Sequence, residues 1–341
     1  MLEQMQHVVD HPAEVVEQFL KERKRPVIGC APGYCPEEIV YAAGMLPIGM
    51  WGGRTSISKA SMYFPAFACS LVQTDLELGM RGVYDRLSAV IIPSHCDHLK
   101  CLGQDWKVAV PQVRFISLVH PNNRQLDGAV TYLKSEYARI RREMEMIGRL
   151  PVSDADLTNA IEVYNAHRRT MRDFTGLARQ YPQTISPRIR HLVIKSGYFM
   201  DKAEHRQLVQ QLMTELKKNP AEEWAGKRVV LTGIMAEPDG DDPLERLARR
   251  WSLMSGCPLL IDPDKSRRYL LKDLVEESGA DGVIACMMKF CEPEEFDYPF
   301  YRRTMEEAGI PLLHIEVDVT GQSLEQARTR LQSFAEMMAS N

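Results

Sequence analysis

Two runs of the chain, Leu87-Ser88-Ala89-Val90-Ile91-Ile92-Pro93 and Gly282-Val283-Ile284-Ala285-Cys286-Met287-Met288, are apolar almost without interruption. Continuous rather than alternating apolar character is how a strand covered on both faces of a parallel sheet reads. Around the first run the pattern predicts further strands at Pro26-Val27-Ile28-Gly29-Cys30, Leu46 to Trp51 and Val113 to Val119. Between them fall a helix from Pro36 to Gly44, with proline at its first position and glycine at its end, and another over Ser70 to Gly79. Strands alternating with helices argue for a doubly wound parallel sheet.

From Gln125 to about Pro220 the pattern changes. Thr131 to Ile140 and Asp154 to Phe174 carry apolar residues at helical spacing, and the absence of Gly/Ser enrichment marks a helical connector rather than a flexible linker. A second α/β region follows. It comprises a strand over Lys227 to Ile234, a helix over Pro243 to Met254, the segment Pro258 to Ile261, a helix over Arg268 to Gly279 and the second apolar run. A helix over Tyr298 to Gly309, a strand over Leu312 to Val317 and a helix over Leu324 to Met338 complete it. The expected architecture is α/β, two doubly wound parallel-sheet lobes (residues 1–124 and 225–341) joined by a helical connector (125–224), with a cleft between the lobes.

The chain has 341 residues, more than one core comfortably serves, and its 45% apolar and 26% charged content is that of a globular protein. A net charge of −4 with interspersed signs gives no footprint for nucleic acid. Without an apolar run of about 18 residues or a charged-then-apolar leader, the expectation is a cytoplasmic protein with no membrane partner.

Eight cysteines are present, and reduced thiols are expected in that compartment. Three of them fall where elements meet. Cys69 opens a helix, where unpaired N–H groups favour a thiolate, while Cys96 and Cys291 follow the two apolar strands, at the sheet edge where ligands collect. If the lobes face each other, these thiols converge in the cleft, as a soft-metal or iron–sulfur site requires. Three cysteines without a fourth partner suit a [4Fe–4S] cluster with one open iron. Zinc on His95, Cys96, His98 and Cys101 is the alternative, although no CxxC or distant HxxxH is present, and Cys101 is held as a reserve ligand. Purely structural thiols are the third reading. Cys30, Cys257 and Cys286 read as packed core residues, Cys35 as the cap of the helix after Pro36, and His95 and His98 as loop histidines near the cleft. Gly233 and Gly240 lie near a strand end, but no GxGxxG or GxxxxGK accompanies them, so no nucleotide fingerprint is read.

Several strings carry a resemblance: Gly33 to Trp51 (GYCPEEIVYAAGMLPIGMW), Tyr63 to Thr74 (YFPAFACSLVQT), Ile91 to Gln104 (IIPSHCDHLKCLGQ), Leu231 to Pro238 (LTGIMAEP), Asp242 to Trp251 (DPLERLARRW), Cys286 to Pro299 (CMMKFCEPEEFDYP) and Gln326 to Met337 (QARTRLQSFAEM). Together they resemble the 2-hydroxyacyl-CoA dehydratase family, which also contains benzoyl-CoA reductase subunits. The resemblance runs nearly end to end. It implies that Cys69, Cys96 and Cys291 bind a [4Fe–4S] cluster, in a smaller β-type subunit paired with a homologous α-type subunit. It further implies an acyl-CoA substrate, dehydration through a ketyl radical, and a separate ATP-dependent activator that injects one electron. In the family the substrate-binding cluster belongs to the partner, so the cluster of this chain is expected to act as an electron relay. An acyl-CoA reductase subunit and a non-catalytic electron-transfer scaffold are the alternatives. One departure is that only Asp239 and Gly240 separate the MAEP string from Asp241, where related sequences are considerably longer.

Overall fold

The first sheet grows outward from its central strand in both directions. In the computed structural model, which describes residues 1–231, 242–254, 256–321 and 324–339, the chain begins with α1 (Leu2–Asp10) and α2 (Pro12–Arg23). It continues through β1 (Val27–Cys30), α3 (Glu37–Ala42), β2 (Leu46–Gly49), α4 (Ser70–Met80), β3 (Ala89–Pro93), α5 (Asp97–Ala109) and β4 (Arg114–Leu118). The four strands are parallel in the order β2-β1-β3-β4, with Cys30 level with Gly49 on one side and Ile91 on the other. The strand order therefore reverses between β1 and β3, and the crevice beyond their C-terminal ends is a topological switch point.

Both faces of this sheet are covered, which is why its strands read as unbroken apolar runs. Ile28, Ala89, Ile91 and Ile116 pack under α3 and the helices after β4, while Val27, Val90 and Ile92 pack under α2, α4 and α5 with Trp106. Each fully buried large aliphatic side chain contributes about 1.5–3 kcal/mol.

Four long helices follow: α6 (Gly128–Gly148), α7 (Asp154–Ala178), α8 (Pro187–Ser196) and α9 (Lys202–Leu216). Ser153 and Asp156 form a reciprocal capping box that starts α7. The connector has its own core of Met171, Phe174, Ile185, Val193, Val209 and Leu212, into which Met5 of α1 inserts.

The second lobe comprises β5 (Val229–Leu231), α10 (Pro243–Leu253), α11 (Arg267–Ser278), β6 (Gly282–Met288), α12 (Glu292–Glu307), β7 (Leu312–Val317) and α13 (Leu324–Ala339). Among the described residues its sheet is β5-β6-β7, all parallel. One of these helices leaves its lobe. The apolar stripe of α10, with Leu244, Leu247, Ala248 and Trp251, is buried in the first lobe's core against α6. The segment Pro258 to Ile261 is a turn. Thr232 to Ile234, Gly233, Gly240 and the shortened stretch after Pro238 lie outside the described residues.

Candidate metal centre

Cys69, Cys96 and Cys291 share one structural role: each is the residue that caps a helix, of α4, α5 and α12 respectively. A helix begins with N–H groups that have no partner in the preceding turn. Those of Leu71 and Val72 face the Cys69 sulfur, those of His98 and Leu99 face Cys96, and that of Glu294 faces Cys291. Hydrogen bonds of this kind favour the thiolate, but they are outweighed. Burial pushes all three thiols up, Cys291 to about 12, and neighbouring thiolate charge raises two of them further: Cys96 acts on Cys69, and both act on Cys291. The sequence-predicted trio is thus brought within mutual electrostatic range from two lobes.

Local structure fixes each thiol. The long connection before Cys69 is held to α4 by Glu77, which accepts the N–H groups of Ser58, Lys59 and Ala60 at 2.8–3.0 Å and pairs with Arg81 at 2.7 Å. Gln73 donates back to the Ala68 carbonyl at 2.6 Å. The Cys69 N–H itself donates to His98 Nδ1 at 3.4 Å. Cys291 leaves β6 through a tight turn in which its N–H donates to the Met288 carbonyl at 2.9 Å, with Phe290 left-handed at φ 64°.

Three cysteine thiols are the soft donors that an iron–sulfur cluster takes. Among the described residues, no group of three or more His, Cys, Asp or Glu side chains is placed to hold a single metal ion, which leaves out the cysteine trio as well as the grouping of His95, Cys96, His98 and Cys101. Three thiols that burial and mutual repulsion keep protonated need a positive centre between them to ionise. Cys101 is exposed on α5, and the thiol charges acting most strongly on the trio are their own.

A cleft of about 540 Å³ opens beside Cys96, walled by His95, Asp97, the turn from Pro258 to Pro263, Lys265, Glu292 and Phe296. Behind it lies an aromatic stack that sequence reading missed. His95 and His120 stack with centroids 3.9 Å apart, and Trp251 lies 5.6 Å from His120. Burial pushes His95 down to about 3 and His120 well below its ordinary value, so both imidazoles are neutral. His95 Nε2, both ring nitrogens of His120 and Trp251 Nε1 are buried without a hydrogen-bond partner in the protein. His95 lies in the loop after β3, as expected, though packed into this stack, whereas His98 is not a loop residue but stands in the first turn of α5. His120 had a readable signal, since it follows β4 as His95 follows β3; Trp251 had none.

Other cysteines differ from expectation too. Cys35 does not cap α3: Pro36 takes that position, and the Cys35 thiol donates to the Ala31 and Ile91 carbonyls at 3.2 and 3.3 Å. Cys286 is exposed, not packed, because its side of β6 lies beyond the cover of α13, whereas Cys30 is buried and Cys257 half-buried against the Tyr34 hydroxyl.

Fold and site together define a two-lobed α/β protein with three helix-capping thiols, one of which, Cys96, borders a cleft. The sequence matches the family described as 2-hydroxyglutaryl-CoA dehydratase, D-component, over residues 32–240 and 235–338. It is 40% identical to the (R)-phenyllactyl-CoA dehydratase beta subunit of Clostridium sporogenes, covering 97% of this chain and 96% of the relative. It is 41% identical to the lactoyl-CoA dehydratase subunit beta of Anaerotignum propionicum, covering 99% and 98%. The (R)-2-hydroxyglutaryl-CoA dehydratase, subunit beta, of Acidaminococcus fermentans is 32% identical, with 99% of each covered. The chain belongs to the 2-hydroxyglutaryl-CoA dehydratase D-component family and, with those relatives, is a dehydratase subunit. The family match breaks into two stretches that meet at residues 235–240, and the first two alignments run over 362 and 371 residues against a chain of 341. Both features agree with the short connection after Pro238.

Proposed function

We propose that this protein is the β-type subunit of an iron–sulfur (R)-2-hydroxyacyl-CoA dehydratase that forms a 2-enoyl-CoA through a ketyl radical. The observation that carries the reading is that Cys69, Cys96 and Cys291 each cap a helix and act on one another electrostatically across two lobes, with Cys96 bordering the cleft. These residues would hold a [4Fe–4S] cluster, which supplies one-electron transfer when bound. The protein's own contribution is to orient the sulfurs with backbone N–H groups, keep water from Cys69 by burial, and border the cleft with neutral His95. The cluster serves as an electron relay to a homologous α-type subunit, which pairs with this chain in the cytoplasm, with acyl-CoA as substrate and an ATP-dependent activator as electron source. The beta-subunit relatives support the pairing. Among the described residues no helix is long and apolar enough to cross a membrane.

Anaerobic purification followed by iron, sulfide and zinc analysis tests the reading. About four irons and four sulfides per chain, with an absorption shoulder that dithionite bleaches, are expected. Cys69→Ser, Cys96→Ser and Cys291→Ser should each lower bound iron, whereas Cys101→Ser and Cys257→Ser should not. Zinc alone, no metal, or equal iron in all five variants overturns it. With partner and activator added, an enoyl product supports dehydration; a product with net reduction moves the chain to the acyl-CoA reductase reading.

A further inference from the structure

Directly after Cys69 stands Ser70, a buried residue on the first turn of α4 whose hydroxyl is directed at the other lobe. Its Oγ accepts the N–H of Val319, just beyond β7, at 3.0 Å and donates to the Met288 sulfur, at the end of β6, at 3.2 Å. Met288 is also the residue whose carbonyl closes the turn carrying Cys291, and Lys289 within that turn donates its N–H to the Val317 carbonyl at 2.9 Å. One side chain therefore touches both strand ends that frame Cys291 while its own backbone continues from Cys69. Met288 in turn packs partly buried against the first lobe's core, in the cluster that holds Ala68, Cys69 and Val72.

We infer that Ser70 is a positioning residue for the metal centre: its hydroxyl pins the second lobe to the helix that Cys69 caps, and so sets the separation of Cys69 from Cys291. The inference rests on the reading that these cysteines hold a cluster. A serine at this place serves better than an apolar residue of similar size because its single hydroxyl both donates and accepts, which satisfies the Val319 amide and reaches the thioether at once. Nothing in the capping of α4 requires it, since Cys69 holds the cap position.

The test uses full-length protein loaded anaerobically, with iron release to a chelator as the readout. Ser70→Ala should load iron and lose it roughly five- to tenfold faster than wild type, the effect of one or two hydrogen bonds. Ser70→Thr, which keeps the hydroxyl, should restore slow release. Met288→Leu keeps the packing volume but removes the acceptor sulfur, and should accelerate release about two- to threefold. Thr175→Ala removes a comparable hydroxyl bond, 2.8 Å to the Met171 carbonyl within α7, and should leave release unchanged. Wild-type release rates in both Ser70→Ala and Met288→Leu, or failure of Ser70→Thr to rescue, overturn the inference while the cluster reading stands. Equal acceleration by Thr175→Ala overturns it too, because the effect would then be one of general stability. A wild-type protein that binds no iron overturns the cluster reading, and this inference with it.

Discussion

At the scale of single residues, the helix that carries Cys69 also buries a carboxyl group. Asp75 is fully buried on α4, and burial pushes it up to about 7, against the opposing hydrogen bonds it accepts from the Gly52 N–H at 2.9 Å and the Tyr84 hydroxyl at 3.0 Å. Its Oδ2 has no partner in the protein. An unfolded aspartate titrates near 3.9, so between about pH 4 and pH 7 the folded state holds a proton that the unfolded chain has lost. Stability must therefore fall as pH rises through that window, by an amount on the order of 4 kcal/mol. Asp75→Asn keeps an oxygen for both donors and removes the ionisation. Urea unfolding at pH 5 and pH 7.5 should show a weaker pH dependence in the variant and greater stability than wild type at pH 7.5. Identical slopes in the two proteins would show that Asp75 is not the group responsible.

At the scale of elements, Glu38 ties three helices together. Lying on α3 and 2% exposed, it accepts from Arg168 of α7 and Arg250 of α10. Burial alone would raise its carboxyl, but the two guanidiniums outweigh it and hold it down to about 2. Its contribution is present above the unfolded value near 4.3 and is lost as pH falls toward 2. Glu38→Gln leaves two buried cations facing a neutral amide and should cost about 3–5 kcal/mol in urea unfolding at pH 7. A loss below about 1 kcal/mol would mean that the guanidiniums find other partners.

That junction also shows where sequence reading stops. Continuous apolar runs located β1, β3 and β6 because a strand covered on both faces needs apolar residues on both sides. The sequence marked α10 as a helix over Pro243 to Met254 but not its destination, since only the fold brings Arg250 to Glu38, 212 residues away. The start of α12 was misplaced at Tyr298 because Pro299 resembles a first-turn proline, whereas the helix begins at Glu292 with Pro293 in its first turn and passes through Pro299. Its opening turn is acidic and carries no apolar period. The three cysteines of the candidate centre were legible because strand ends and helix starts can be read locally; the stack of His95, His120 and Trp251 joins three separate segments and was not.

At the scale of the molecule, the candidate centre draws two ligands from the first lobe and one from the second, whose buried clusters are small. A cluster bound across that boundary stabilises the docked arrangement by its binding free energy, and its removal should weaken the second lobe most. The chain carries a natural pair of probes for this. All four tryptophans, Trp51, Trp106, Trp224 and Trp251, lie outside the second lobe's own core, and Trp251 is buried in that of the first. Tryptophan emission therefore follows the first lobe and connector, while far-UV ellipticity also includes α11, α12 and α13. In loaded protein the two signals should change together in urea. In metal-free protein, ellipticity loss should begin at a concentration lower by roughly 1 M, as expected when several kcal/mol are removed from a unit with an ordinary denaturant slope. Cys291→Ser should behave like metal-free protein even after iron is supplied, because the one ligand from the second lobe is gone. Coincident transitions in all three samples would mean that the lobes are held together by α10 and the Ser70 contacts alone, with no energetic share for a shared metal centre.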